Sequence, residues 1–126
     1  MKITFSSINF YSWIYLFLAL LGAVLTALSN IEFINNYGPG FDIQLFFRLA
    51  NSNPASESLS RDLFIGATAI TVWMIIESRR LKMKHLWIVL LSSFTVAFAF
   101  AAPLFLFLRE RRLIELEKDG YIIEPK

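Results

Sequence analysis

The chain has 126 residues, of which 56% are hydrophobic and 17% charged, with a formal net charge of +2 and a mean hydropathy of +0.57. The lack of cysteine excludes disulfides, thiolate metal sites and cysteine nucleophiles. The apolar residues form uncharged blocks, which indicates that their surroundings are lipid and not water. Basic residues cluster at the ends of these blocks, which favours lipid headgroups over nucleic acid as their binding partner. We therefore predict a single all-α membrane domain, residues 1–126, with three transmembrane helices and a tight basic turn between the second and third.

The first apolar block, residues 10–28, predicts transmembrane helix 1 over about residues 8–29. A helix needs roughly 20 apolar residues to cross the hydrocarbon core, and this block is close to that length. Trp13 lies near its start, where amphipathic rings prefer the headgroup level. A secretory signal peptide is the alternative, since residues 27–29 resemble a small-x-small cleavage site. The block is longer than such signals, so we expect helix 1 to be retained.

Residues 30–58 are rich in turn-forming residues and predict a loop outside the membrane. Within this loop, residues 41–50 are apolar but reach only about half of the spanning length. Asp42 and Arg48 would be costly at membrane depth, so the segment favours a short interfacial helix over a re-entrant one.

The second apolar block, residues 63–76, predicts transmembrane helix 2 over about residues 60–79, with Asn53 or Ser60 as its N-cap. Asp62 and Glu77 border the block about 22 Å apart along the axis, so they lie near opposite membrane surfaces and cannot form one carboxylate pair. Four residues at helical spacing define the side that we expect to face protein. They are Asp62, Gly66, Trp73 and Glu77.

The third apolar block predicts a continuous helix 3 over about residues 86–118, with its end outside the membrane and Gly120 as a stop signal. Pro103 removes a backbone donor, which should kink this helix and leave the Ala99 carbonyl free. Small residues that allow membrane helices to approach closely recur on helices 1 and 3. The predicted contact residues are Ala19 and Gly22 on helix 1, and Ser92, Thr95, Ala99 and Ala102 on helix 3. We expect the helix 3 set to face the protein-facing side of helix 2.

Basic residues follow the second and third blocks and are expected to anchor the helices at lipid headgroups. The predicted anchors are Arg79, Arg80, Lys82, Lys84, Arg109, Arg111 and Arg112. Three crossings place the first four on one side of the membrane and the last three on the other. Applied to the dense basic turn, the positive-inside rule predicts a cytoplasmic amino terminus. His85 lies in that turn, where a solvated or headgroup-contacting role is favoured over ligation of haem or metal, and no metal site is predicted.

Several short motifs resemble those of one family of small membrane proteins. They are Asp62 at the start of one span, Trp73 and the Glu-Ser-Arg-Arg of residues 77–80 at its end, and Pro-Leu-Phe-Leu-Phe-Leu-Arg-Glu at residues 103–110. The family they resemble comprises small integral-membrane proteins of bacteria and cyanobacteria and is catalogued only as a domain of unknown function. The resemblance covers roughly residues 45–112. It implies a membrane location with a helical hairpin and, for cyanobacterial members, a plasma or thylakoid membrane.

Nearly every feature of the sequence concerns packing and anchoring, which predicts an accessory or interaction subunit of a larger membrane assembly. The expected partners are membrane lipids and other membrane proteins or a second copy of the chain, and no nucleic acid. One alternative is a small membrane enzyme that uses Asp62 or Glu77 as a general acid on an isoprenoid or lipid substrate. Another is a pigment-binding subunit, with its Phe-rich faces against the pigment. The sequence indicates no cofactor, although pigment or lipid would fit these alternatives.

Overall fold

The structure is a computed structural model that describes the backbone of residues 5–120 and the side chains from Phe10 onward. Every regular element in this part of the chain is an α-helix, so the predicted all-α class is confirmed. The helices are α1 (Phe5–Tyr37), α2 (Ile43–Ala50), α3 (Pro54–Arg80), α4 (Leu86–Thr95) and α5 (Phe98–Lys118).

Two of these helices are long and apolar enough to cross a membrane: Phe10–Tyr37 within α1 and Pro54–Arg80, which is α3. Only 6% of the most apolar window of each helix is buried, whereas a core helix of a soluble protein is mostly covered. The next apolar helix, α4, has 10 residues and is about 15 Å long, half of a bilayer core. The third crossing expected from the sequence is therefore not confirmed.

Side-chain caps fix where α2 and α3 begin. The Asp42 carboxylate accepts the backbone N–H of Leu45 at 3.0 Å, so the short apolar segment of the loop forms a helix. The Asn53 side chain accepts the N–H of Ser56 at 2.9 Å, and Pro54 follows as the first residue of α3. Of the two candidate caps, Asn53 is therefore the one used, and α3 begins earlier than the expected residue 60.

The third apolar block does not form the continuous helix expected from the sequence, because the chain breaks at Val96 and Ala97. Both of their N–H groups donate to the Ser92 carbonyl, at 3.0 and 3.1 Å, and the Ala97 backbone is extended (φ −178°, ψ 155°). Thr95 and Val96 are β-branched, which lowers helix propensity at this point. Pro103 lies inside α5, so the interruption comes before the proline that was expected to cause it.

After this break the chain turns back on itself. A buried cluster joins Val89 of α4 to Ala101 and Phe105 of α5, together with Met74 of α3. Val89 precedes the break, and Ala101 and Phe105 follow it by similar numbers of residues. Helix α4 and the first half of α5 therefore form an antiparallel hairpin. The second half of α5 therefore lies at the same end of the protein as the start of α4.

Helices α3 and α5 run parallel along their carboxy-terminal halves. The Trp73 and Phe105 rings meet edge to face with centroids 5.6 Å apart, and one turn further Glu77 binds Arg109. Because both contacts advance by four residues on each helix, the two helices point in the same direction.

Helix α1 runs in the opposite direction to α3 and α5. Phe33 near the end of α1 packs against Phe41 and Phe46, with ring centroids 5.1 and 5.4 Å away. The residues after α2 then reach the start of α3, where the Ser60 hydroxyl donates to the Ala50 carbonyl at 3.2 Å. The end of α1 and the start of α3 therefore lie at the same end of the protein.

Gly22 of α1 lies directly on the backbone of α5. A Cβ atom at Gly22 would overlap the Ala99 carbonyl oxygen. That carbonyl has no helical donor, because the residue four positions later is Pro103, which lacks an N–H. The proline thus leaves an open carbonyl, and the glycine lets the backbone of α1 approach it, with Ala19 fully buried one turn earlier.

We predict that Gly22→Ala lowers the thermal midpoint of the purified protein, because α1 must move away from α5. Overpacking of this kind costs about 1–3 kcal/mol. Gly66→Ala on α3 is the matched control, since its Cβ would meet nothing within 4 Å, and its midpoint should be unchanged or higher. Equal midpoints for the two variants would contradict the close packing of α1 on α5.

Candidate functional site

The charged site of the protein lies where α3 ends and is built on Glu77. The Glu77 carboxylate is 6% exposed and accepts hydrogen bonds from two guanidinium groups. Arg80, three residues later on α3, donates to it at 2.8 and 2.7 Å, and Arg109 from α5 donates through Nε at 2.8 Å. Charge-assisted bonds of this geometry satisfy a carboxylate that would otherwise be costly to bury.

Two further contacts hold α5 beside the end of α3. The Arg109 guanidinium lies 5.8 Å from the centre of the Trp73 ring, a cation–π contact. Arg112 donates through Nε to the Leu81 carbonyl at 2.9 Å. Beside them, burial raises the pKa of the Glu110 carboxyl, and the charge of Arg109 opposes that shift.

These contacts correct the predicted sidedness of the anchors. The prediction placed the basic turn on one side of the membrane and the arginines of α5 on the other. Instead, Arg109 and Arg112 bind residues at the end of α3, next to the turn. The reason is the break at Ala97, which turns α5 back toward the end from which α4 started.

The two candidate acids lie in different surroundings. Glu77 is enclosed by arginines, whereas Asp62 is exposed at the other end of α3 and makes no hydrogen bond or ion pair with the described residues. A general acid needs a proton to give and a substrate within reach. Glu77, bound by two guanidinium groups, is better suited to holding helices together.

The structure places the predicted contact residues in different surroundings. Gly22 and Ala99 meet between α1 and α5, and Trp73 packs on Phe105. The hydroxyls of Ser92 and Thr95 bond to carbonyls of their own helix, at 2.7 and 3.0 Å. Ala102 is half-buried on α5.

The expectation that the protein-facing side of α3 meets the small residues of the third block does not hold at Gly66 or Ala99. Around Gly66 there is open space, and Ala99 faces α1 instead. Ala99 of α5 lies against α1 because the α4–α5 hairpin places the start of α5 on that side.

The turn after α3 is closed by an ordered backbone motif. The Met83 N–H donates to the Ser78 carbonyl at 2.8 Å and the Lys82 N–H to the Arg79 carbonyl at 3.2 Å, the two bonds of a Schellman motif. Lys82 holds the left-handed position of this motif, with φ +52°. Glycine usually occupies that position, as Gly120 does after α5 with φ +75°.

Sequence reasoning missed the cavity beside this turn, which has a volume of about 280 Å³. The turn and α5 line it together, and only the fold-back of α5 brings them into contact. Its lining residues are Lys82, Met83, Lys84, His85, Leu108, Arg111, Arg112 and Glu115. Among the residues that the structure describes, no three His, Asp or Glu side chains form a group that could hold a metal ion.

The fold and this site define an all-helical protein in which two helices have the length and hydropathy of membrane spans. The chain belongs to the family described as protein of unknown function DUF2834, whose model matches residues 14–111. The expected family membership is thus confirmed over a longer stretch than residues 45–112. No curated protein and no solved structure matches this chain. Its cyanobacterial origin and thylakoid location stay predictions.

We predict that Glu77→Gln strongly destabilises the protein, because Arg80 and Arg109 would lose the buried carboxylate that both of them bind. Removing one partner of a buried ion pair costs about 3–5 kcal/mol. The matched control is Glu57→Gln, which breaks the exposed pair with Arg61 and should cost no more than about 1 kcal/mol. Thermal or denaturant unfolding measures both. Similar losses of stability in the two variants would show that the ion pairs of Glu77 do not hold α3 and α5 together.

Proposed function

We propose that the chain is an integral membrane protein in which α1 and α3 cross the bilayer and the α4–α5 hairpin enters from one side and returns. We further propose that it serves as an accessory or interaction subunit of a larger membrane assembly. The observation that carries this role is the exposed apolar stretch of α3 that begins at Leu63, which α1 does not cover.

The distribution of basic residues supports the membrane arrangement. One end of the described chain carries eight Lys and Arg residues, and the other end carries Arg48 and Arg61. The eight are Arg79, Arg80, Lys82, Lys84, Arg109, Arg111, Arg112 and Lys118. By the positive-inside rule the first end is cytoplasmic, with the start of α1 on the same side. Because α5 folds back, the basic residues are divided more unequally between the two ends than they would be with three crossings.

The uncovered part of α3 supports the interaction role. Leu63, Phe64 and Ile65 are 62–70% exposed, and no Cα atom of α1 lies within 8 Å of α3 among the described residues. The ring contact of α3 with α5 lies further along, at Trp73. Gly66 lies in the uncovered half and offers a close approach to a neighbouring helix. A second copy of this chain or another membrane helix would fit there.

The enzyme alternative has less support, because Glu77 is occupied by arginines and Asp62 stands alone at the far end of α3. An isoprenoid or lipid substrate would have to reach Asp62 without a second acid or base beside it among the described residues. Pigment binding has no feature of the described residues in its favour beyond exposed aromatic rings. A visible absorption spectrum of the purified protein would revive that alternative.

We predict that Gly66→Leu abolishes a complex that the unchanged protein forms in mild detergent. Gly66 is exposed and a Cβ there meets nothing within 4 Å, so the thermal midpoint of the isolated subunit should not fall. The control is Val72→Leu, which also enlarges an exposed position of α3 but lies about 120° around the helix from Gly66. Size-exclusion chromatography with mass spectrometry reads out the complex and its members.

The composition of that complex decides between its two possible partners. A homo-oligomer lost in Gly66→Leu identifies a second copy, whereas loss of a different co-purifying protein identifies a larger assembly. A strictly monomeric protein with no co-purifying partner would contradict the proposed role, as would a complex that Gly66→Leu leaves intact.

A further inference from the structure

The cavity beside the turn after α3 has an unusual balance of charge. It brings together four cationic side chains, those of Lys82, Lys84, Arg111 and Arg112, with one carboxylate, that of Glu115. Glu115 is already bound by Arg112 Nη1 at 3.0 Å. Lys82, Lys84 and Arg111 therefore line a cavity whose one carboxylate is already bound by Arg112.

Three of these cations have nothing to bind within the described chain. The side chains of Lys82, Lys84 and Arg111 make no hydrogen bond or ion pair with any described residue. They lie on two different segments, the turn and α5, which the contact between Arg112 and the Leu81 carbonyl holds together. A fixed backbone thus gathers free cations around one space, as a site for an anionic group requires.

Lys82 adds an independent argument. It occupies the left-handed position of the Schellman motif at φ +52°, where its Cβ is unfavourable and glycine is the usual residue. The same chain uses Gly120 at the equivalent point after α5. A lysine kept in a strained position beside a cationic cavity indicates that its charge is needed there.

We infer that this cavity binds the phosphate of an anionic membrane lipid. The inference rests on the proposed membrane location but not on the subunit role. Met83 and Leu108 line the same cavity and provide an apolar surface for the glycerol and first methylenes of a lipid. Trp87, 63% exposed just after the turn, is the type of side chain found at the headgroup level.

The location favours a lipid over a free phosphate ion. The cavity opens at the basic end of the spans, where the anionic leaflet would lie under the proposed orientation. Besides the charged residues, the cavity is lined by Met83 and Leu108, which pack against the buried cluster of the hairpin. A soluble phosphate would use the cations but gain nothing from the apolar part.

The test is a titration of the purified full-length chain in neutral detergent, followed by calorimetry. The probes are short-chain phosphatidylglycerol, short-chain phosphatidylcholine and inorganic phosphate. We expect saturable binding of phosphatidylglycerol and at least about fivefold weaker binding of the other two, since each basic residue near an anionic lipid contributes about that factor.

Two variants address the site, and one is a matched control. Arg111→Gln and Lys82→Gly should each weaken phosphatidylglycerol binding about fivefold. The thermal midpoint of Lys82→Gly should not fall, because glycine suits the left-handed position. The control is Arg48→Gln, which changes an exposed helical arginine at the opposite end, and this variant should bind as the unchanged protein does.

Four results would overturn the lipid site. These are equal affinity for phosphatidylcholine, equal affinity for inorganic phosphate, equal weakening by Arg48→Gln and Arg111→Gln, and binding that Lys82→Gly leaves unchanged. Preference for an acidic peptide such as polyglutamate over the lipid would also overturn it. Membrane fractionation of the same variants distinguishes these failures from failure of the membrane location, because a chain without the site would still sediment with membranes.

Discussion

The arrangement of the helices depends on the neutralisation of Glu77. A carboxylate that is almost fully buried needs partners, and α3 alone supplies only Arg80. The second partner, Arg109, comes from α5, more than thirty positions later in the chain. Arg109 can reach Glu77 only if the apolar block between them leaves the end of α3 and then reverses direction. The hairpin of α4 and α5 allows this ion pair to form.

The hairpin also explains why α1 is packed as it is. Bringing α5 back places its first half beside α1, where Gly22 meets the free carbonyl of Ala99. Pro103 is what frees that carbonyl, so a residue that usually interrupts helices here creates a contact between two of them. One end of the protein is therefore held by charges and the middle by a close backbone approach. The first half of α3 takes part in neither, which leaves it open to a partner.

Sequence reasoning reached the helical class, the two long apolar helices and the family, because these depend on local composition and on short motifs. It also identified the free carbonyl at Ala99, since the loss of a donor at Pro103 is a local property of the chain. The break at Ala97 was missed because a long uncharged block looks the same whether it crosses a bilayer or turns back halfway. The pairing of Glu77 with Arg109 decides between these paths, and it is a contact between distant residues.

The most direct test of this account is the sidedness of the two ends of the α4–α5 hairpin. The chain has no cysteine, so single substitutions can be labelled in sealed membrane vesicles with an impermeant maleimide. The account predicts that Lys84→Cys and Glu117→Cys react from the same side, and that Ser52→Cys reacts from the other. Labelling of Lys84→Cys and Glu117→Cys from opposite sides would establish a third crossing and contradict the tie between Glu77 and Arg109.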